Sequence, residues 1–141
     1  MEKLYERDFS RWAETMADLL AASNFRALDI ENLVEEVRDL SKRERDSLLS
    51  SLRLIVQHLL KWDYQPERQS KSRQNTIKRE RLNIQKYLKD SPSLKLYLTD
   101  EYVNQVYEIG RLDAMSETGI DMPMVCPYQI LEVLERQVNL D

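Results

Sequence analysis

The chain has 141 residues, a formal net charge of −4 and 42% hydrophobic residues, which fits a single globular domain over residues 1–141 with its own core. Its single cysteine excludes an internal disulfide, and the scarcity of glycine (two) and proline (four) argues against a fold rich in tight turns. Neither a secretory signal nor the roughly 20 apolar residues of a membrane span is evident, so we expect a cytoplasmic protein without membrane association.

The first predicted helix follows Asp8, whose carboxylate can accept hydrogen bonds from the unpaired N–H groups of a helix start. Apolar residues then recur three or four positions apart at Phe9, Trp12, Met16, Leu19 and Leu20. A second helix is predicted after Asp29, with a similar apolar face over residues 30–40. Ser41 and Glu44 have the spacing of a capping box and predict that a third helix begins there.

The third helix, at about 44–65, is expected to be the centre of the fold. At about 100° per residue, one seam of this helix contains Leu48, Leu52, Ile55, Leu59 and Trp62. Neighbouring apolar residues widen the arc to roughly 160°, more than the ~100° of a surface helix, so several elements should touch it. Pro66 is expected to end the helix, because it disfavours a helical conformation at the residue before it.

Four more helices are predicted in the second half of the chain. Residues 70–90 have a thin apolar stripe and a largely basic surface, and shorter helices are expected at 91–98 and 99–116. Gly119 has the position of a residue that ends a helix in a left-handed conformation, and a last helix is expected from Cys126-Pro127 through Leu134. Since no strand pattern occurs, we predict an all-α single-domain bundle of six or seven helices around the central one.

Charge is distributed unevenly along the chain. Residues 1–47 carry eight basic and twelve acidic side chains, residues 67–90 carry eight and three, and residues 91–141 carry three and nine. The basic segment predicts binding residues for an anionic partner, namely Arg68, Lys71, Arg73, Lys78 and Arg79. We expect its cations to be spread around the helix rather than in one row. Neutralisation by the acidic segments of the same chain is the competing interpretation.

Three further polar residues are predicted to be structural. His58, the only histidine, is expected at the edge of the core, because a zinc site needs three or four ligands and the chain offers one His and one Cys. Glu117 near a helix end should be tied to an arginine or to backbone N–H groups. Arg81 falls on the apolar stripe of its helix, so we expect a paired guanidinium, with Glu117 or an acidic residue of 29–39 as the partner. No metal and no cofactor is predicted.

Enzymatic activity is not expected. Cys126 and His58 could meet in principle, but no sequence motif of a hydrolase or of a phosphate-binding loop occurs.

Seven short stretches carry a resemblance to a known family: YERDFSRW, LDIENLVEEV, HLLKWDYQP, TIKRER, SPSLKLYL, ETGI and CPY, in this order between residues 5 and 128. They resemble the bacterial family catalogued as domain of unknown function 29. The resemblance covers nearly the whole chain and implies an all-helical fold with no established activity. One position departs from the family pattern, since Arg73 follows Ser72 where the family usually has a tryptophan.

Two functional hypotheses are compatible with these observations. The first is a non-catalytic helical interaction or regulatory module that binds another protein, with acidic and basic faces that steer the partner. The alternative is a nucleic-acid-associated protein that uses the basic helix 68–89. No nucleic-acid-binding motif supports this alternative, and a pI of about 5.2 argues against a dedicated nucleic-acid binder. Formation of a homo-oligomer is left open by the sequence.

Overall fold

The computed structural model describes residues 3–140, and this part of the chain is all-helical, as the sequence predicted. The α-helices are α1 (Leu4–Arg7), α2 (Phe9–Ala21), α3 (Ile30–Tyr64), α4 (Lys71–Asp90), α5 (Asp100–Thr118) and α6 (Ile130–Glu135). Short 3₁₀ helices lie at Phe25–Ala27, Pro66–Arg68 and Pro92–Tyr97. Within residues 3–140, no helix is at once long enough and apolar enough to cross a membrane.

The contacts of the chain fall into two compact units, Met1–Arg43 and Glu44–Asp141, called here the N-terminal and the C-terminal unit. Helix α3 begins in the first and ends in the second. The assignment of residues 1–141 to one domain stays a prediction.

The expected break between two helices near Ser41 and Glu44 is wrong, because α3 continues through it for 35 residues in total. Residues 41–47 contain no apolar side chain and nearly all of them are exposed. Such a stretch of lysine, arginine and glutamate forms helix without a buried face, since these residues have high helix propensity. The interrupted apolar pattern therefore marks a solvated part of one helix rather than a helix end.

The C-terminal half of α3 is the centre of the C-terminal unit, as predicted. Six of its side chains are fully buried: Leu48, Leu52, Ile55, Val56, Leu59 and Leu60. Buried residues of the other helices in this unit complete the core, among them Ile77, Ile84, Val103, Ala114 and Val133. Each such aliphatic side chain contributes about 1.5–3 kcal/mol by leaving water.

Gly110 allows α5 to approach α3 closely. A Cβ atom at this position would lie 3.3 Å from the carbonyl oxygen of Arg53 and 3.6 Å from Cγ1 of Val56. Any larger residue would push the two helices apart, so the glycine fixes their spacing.

Most helix ends follow the signals in the sequence. Asp8, Ser70 and Thr99 accept hydrogen bonds from the backbone N–H three residues later, at 3.1, 3.2 and 3.3 Å. Gly119 ends α5 with φ of 70°, which is the left-handed conformation that was expected of it.

The last helix begins later than predicted, at Ile130 instead of Cys126-Pro127. Residues 119–129 form a loop that two side chains of α5 hold in place. The hydroxyl of Tyr107 donates to the carbonyl of Pro123, and Nε of Arg111 donates to the carbonyl of Met122 at 3.1 Å. At the start of the helix itself, the N–H of Ile130 donates to Oδ1 of Asp100 at 2.7 Å, so a side chain of α5 caps α6 at this position.

Arg81 has a different partner from the carboxylate that was expected. Its guanidinium donates to the carbonyl oxygens of Glu132, Val133 and Arg136, at 3.1, 3.0 and 2.7 Å. These carbonyls lie at the C-terminal end of α6, where the helical hydrogen bonds end with the one from the N–H of Arg136 to the carbonyl of Glu132. One half-buried arginine of α4 thus ties down a short helix more than 50 positions away.

We expect Arg81→Met to lower the free energy of unfolding by about 2–3 kcal/mol, because the apolar stem is kept while three carbonyls lose a charged donor. Urea unfolding followed by circular dichroism measures this loss. Lys86→Met is the matched control on the same helix, since Lys86 is exposed, and it should change stability by less than about 0.5 kcal/mol. Equal losses in the two variants would contradict a structural role for Arg81.

Candidate functional site

Lys61, Gln57 and Glu117 form a polar cluster between α3 and the end of α5. Nζ of Lys61 lies 2.5 Å from Oε2 of Glu117, and Nε2 of Gln57 donates to Oε1 at 2.8 Å. The Lys61 side chain is only 10% exposed, whereas that of Glu117 is 50% exposed. The expectation of an arginine or a backbone N–H as the partner of Glu117 is therefore wrong. The hydrogen bond from Lys61 lowers the pKa of Glu117 below its usual value.

His58 lies one turn before Lys61 and is half-buried. Its Nδ1 donates to the carbonyl of Leu54 at 2.9 Å. Burial is the largest effect on this imidazole and lowers its pKa below the usual 6.5, so the ring is neutral at neutral pH. Within residues 3–140 no hydrogen bond or ion pair joins a carboxylate to the ring, and Sγ of Cys126 donates to the carbonyl of Tyr128 at 3.4 Å rather than to His58. The geometry fits a structural histidine, and its lack of a catalytic role stays a prediction.

Arg73 serves the end of α3 instead of facing solvent. Its guanidinium donates to the carbonyl of Lys61 at 3.4 Å and to Oε1 of Gln65 at 2.7 Å. Nε2 of Gln69 donates to the carbonyl of Trp62 at 3.1 Å. Pro66 has no N–H for the carbonyl of Trp62, so Gln69 donates there instead, while Arg73 adds a second donor to the carbonyl of Lys61, which also accepts from the N–H of Gln65. The guanidinium of Arg73 is therefore engaged within the chain rather than free for the predicted anionic partner. Arg73 lies on the buried side of α4, and its guanidinium therefore reaches the end of α3 instead of solvent.

A second polar cluster surrounds Asp63 and was not found from the sequence. Arg136 donates two hydrogen bonds to the two carboxylate oxygens of Asp63, at 2.6 and 2.7 Å, and the hydroxyl of Tyr128 donates to Oδ2 at 2.6 Å. Burial opposes the charge of Asp63, but the hydrogen bonds from Arg136 and Tyr128 outweigh it and lower the pKa of the carboxyl group. Burial and the neighbouring Asp63 raise the pKa of Tyr128. The cluster holds the C-terminal segment against α3.

The charged groups of both polar clusters are paired with groups of neighbouring elements. No three side chains of His, Cys, Asp or Glu within residues 3–140 converge in a way that could hold a metal ion. The thiol of Cys126 is half-buried, and burial raises its pKa, which makes the reactive thiolate scarce. The two polar clusters can fix helices relative to one another. The absence of a metal and of a cofactor stays a prediction.

Helix α4 has a basic face, which corrects the expectation that its cations are spread around the helix. At about 100° per residue, five cations fall within an arc of about 100°: Lys71, Lys78, Arg79, Lys86 and Lys89. All five are exposed, and so is Leu82 between them. The opposite side of α4 carries the buried Ile77 and Ile84 together with Arg73 and Arg81. Arg68 is exposed as well but belongs to the 3₁₀ helix that precedes α4.

Neutralisation of this basic face by ion pairs is slight within residues 3–140. Arg79 lies 3.5 Å from Oε1 of its neighbour Glu80, and this is the sole ion pair there that involves a cation of α4. Glu80 itself is buried and accepts hydrogen bonds from Ser51 and Asn83, at 2.8 and 3.2 Å. The basic face therefore keeps nearly all of its positive charge exposed to solvent.

The N-terminal unit has an open apolar groove between α2 and the first part of α3. Trp12 and Met16 are buried at its base, and the groove encloses about 340 Å³. Four of its larger residues are between 47% and 62% exposed: Phe9, Leu20, Val37 and Leu40. The apolar spacing of both helices was visible in the sequence as one apolar face on each helix. Nothing in the spacing reveals that part of each apolar face stays uncovered.

Trp62→Ala should lower the free energy of unfolding by about 3–5 kcal/mol, because Trp62 belongs to the buried seam of α3. His58→Gln should cost at most about 1.5 kcal/mol, the value of one net hydrogen bond at the edge of the core. Urea unfolding measures both losses. Similar small losses at both positions would contradict the assignment of Trp62 to the core and of His58 to its border.

The pH dependence of stability in Glu117→Gln tests the ion pair between Lys61 and Glu117. The lowered pKa of Glu117 means that its stabilising contribution is present above the ordinary value of 4.5 and is lost as pH falls through the folded-state value. The stability difference between wild type and Glu117→Gln should therefore be constant between about pH 7 and about pH 5. It should shrink at lower pH in urea unfolding experiments. A difference that does not depend on pH would exclude the charged pair as its source.

Comparisons with known proteins identify a family for this chain. No curated protein and no solved structure matches it closely enough to count as a relative. A family model does match, over residues 4–138, and this range includes every helix described above. The resemblance seen in the sequence is thereby confirmed: the chain belongs to the family described as Domain of unknown function DUF29.

Proposed function

We propose that this chain is a non-catalytic interaction module whose N-terminal unit binds an amphipathic helix of another protein. The observation that supports this proposal is the open apolar groove between α2 and α3. The polar clusters of the C-terminal unit support it indirectly, because their side chains are occupied in holding helices together.

The size of the uncovered apolar surface argues for a partner. Ile30 and Val34 are about half exposed and lie within about 60° of Val37 on α3, next to the groove. Together with the half-exposed groove residues they present apolar surface on the order of 500 Å², at the upper end of the largest patch on a typical monomer. Leaving such a surface in water costs stability, so a bound partner compensates for that cost.

The shape of the groove favours a helix as the occupant. Two helices with a buried base and half-exposed rims leave a channel that a third helix fills by ridges-into-grooves packing. A bound helix would place apolar residues at positions i, i+3, i+4 and i+7 against Phe9, Leu20, Val37 and Leu40.

Charge favours a basic partner over a second copy of the chain. Residues 1–43 carry ten acidic and seven basic side chains. Glu14 and Asp18 are exposed and directly follow Ala13 and Ala17, which line the groove. Two copies joined by this face would bring like carboxylates together, whereas lysine and arginine flanking the apolar stripe of a partner helix would be attracted.

The alternative hypothesis, a nucleic-acid-associated protein, is favoured by the exposed cations of the basic face of α4. This alternative concerns the C-terminal unit and is independent of the groove. Binding of mixed-sequence duplex DNA at increasing salt concentration distinguishes the two hypotheses, since binding to phosphates weakens steeply with salt.

A labelled synthetic helix of about 18 residues tests the proposal, with leucines along one face and lysines elsewhere. Fluorescence anisotropy should show binding that a peptide of the same composition, with its leucines scattered around the helix, does not reproduce. Val37→Glu should weaken binding at least tenfold, because a charge enters the apolar groove. Leu131→Glu is the matched control: it adds the same charge at a similarly exposed residue of the C-terminal unit and should leave binding unchanged.

Two outcomes would overturn the proposal. Equal binding of the two peptides, or no effect of Val37→Glu in a protein whose circular dichroism is native, would exclude the groove as a helix-binding site. A concentration-dependent dimer in light scattering that Val37→Glu abolishes would assign the groove to a second copy instead.

A further inference from the structure

We infer that the basic face of α4, formed by Lys71, Lys78, Arg79, Leu82, Lys86 and Lys89, is a second docking surface that binds an acidic, amphipathic protein segment. This inference goes beyond the proposed function, because it concerns another unit, another charge and another partner. It stands even if the groove of the N-terminal unit has a different occupant.

The length and charge of this face suit an extended acidic segment. Lys71 and Lys89 are 18 positions apart, which is about 27 Å along a helix. Lysines or arginines recur along that length, and no acidic side chain interrupts them, because Glu80 is buried and Asp90 lies at the helix end. A row of uncompensated cations repels itself, so binding of carboxylates relieves that repulsion.

Leu82 gives the face a specific apolar contact. It is 58% exposed, and it lies in a shallow hollow of about 360 Å³ between the side chains of Arg79, Lys86 and Lys89. The aliphatic stems of these long residues can cover an apolar side chain while their charged ends stay in water. A leucine or phenylalanine of an acidic segment would fill the hollow, with its neighbouring carboxylates reaching the surrounding cations.

The same features make nucleic acid the weaker candidate for this face. Four of the five cations are lysines, which lack the planar fork with which arginine binds phosphates in a bidentate way. None of the side chains that form the face is aromatic, so bases have no platform on which to stack. A phosphate backbone also offers no apolar group for Leu82.

Self-association through the two surfaces is also disfavoured. The basic face could be attracted to the acidic N-terminal unit of another copy. Its single exposed leucine, however, cannot supply the series of apolar residues that the groove would bury. Two surfaces of opposite charge on one chain therefore fit two different partners, which is the arrangement of an adaptor.

A labelled acidic peptide of about 16 residues, with one leucine flanked by glutamates, is the probe. Two reference probes accompany it: the same peptide with serine in place of leucine, and a mixed-sequence DNA duplex of about 20 base pairs. Lys78→Glu with Lys86→Glu should weaken binding of the acidic peptide at least tenfold in fluorescence anisotropy. Leu82→Gln should weaken it at least threefold, and the effect should persist at high salt, since apolar contacts are not screened.

Matched controls separate a local effect from a change in net charge. Arg38→Glu with Lys42→Glu makes the same charge change at exposed residues of the N-terminal unit and should leave binding of the acidic peptide unchanged. Val37→Glu should likewise have no effect on it, so failure of this inference and failure of the groove proposal are distinguishable. All variants lie at exposed positions, and melting temperatures within a few degrees of wild type should verify the fold.

Three outcomes would overturn the inference. Duplex binding stronger than peptide binding, lost in the Lys78→Glu, Lys86→Glu variant, would assign the face to nucleic acid. Equal binding of the leucine and serine peptides would show that Leu82 makes no apolar contact with the peptide and that binding is non-specific charge attraction. Absence of binding by all three probes would leave the face as a solvated helix surface.

Discussion

Burial of one helical segment, residues 48–62 of α3, is the constraint on which the C-terminal unit depends. Four of its leucines, its isoleucine and its valine are fully buried, and they can be so only if other helices cover more than one side of the segment. Gly110 sets how closely α5 approaches, since its missing Cβ leaves room for the carbonyl of Arg53. The positions of the polar groups follow from this packing, because every charged residue at the border must find a partner or reach solvent.

Scarcity of glycine explains how the helices of this unit end. A glycine in a left-handed conformation satisfies the last carbonyls of many helices, and the chain uses this solution at Gly119. The ends of α3 and α6 have no glycine, so side chains from α4 donate to their carbonyls instead. Arg73 serves α3, and Arg81 serves α6. Helix α4 is therefore divided between a buried side whose arginines hold neighbouring helix ends and an exposed side on which, within residues 3–140, Arg79 alone forms an ion pair.

Several stretches that carry the family resemblance meet in these structural contacts. HLLKWDYQP contributes Lys61 and Asp63, ETGI contributes Glu117, and TIKRER contributes Arg81. Their contacts hold helices in place, which gives these polar residues a structural role. Other residues of these stretches lie on the surfaces proposed to bind partners: YERDFSRW contributes Phe9 and Trp12 to the groove, and TIKRER contributes Lys78 and Arg79 to the basic face of α4. The stretches of the family resemblance therefore contribute both to contacts that hold helices together and to the surfaces proposed to bind partners.

The sequence by itself determined the all-α class, the buried seam of α3, most helix starts and the left-handed end at Gly119, because these features depend on residues within a few positions of each other. The basic face of α4 was also contained in the spacing of its lysines, and counting angles from Lys78 would have found it. The partners of Arg81, Asp63 and Glu117 were decided only by the tertiary structure, since they lie more than 50 positions away and many polar groups could have met them. Tertiary structure likewise decided that the apolar faces of α2 and α3 remain partly uncovered, because exposure depends on which elements pack nearby and not on the periodicity of one helix.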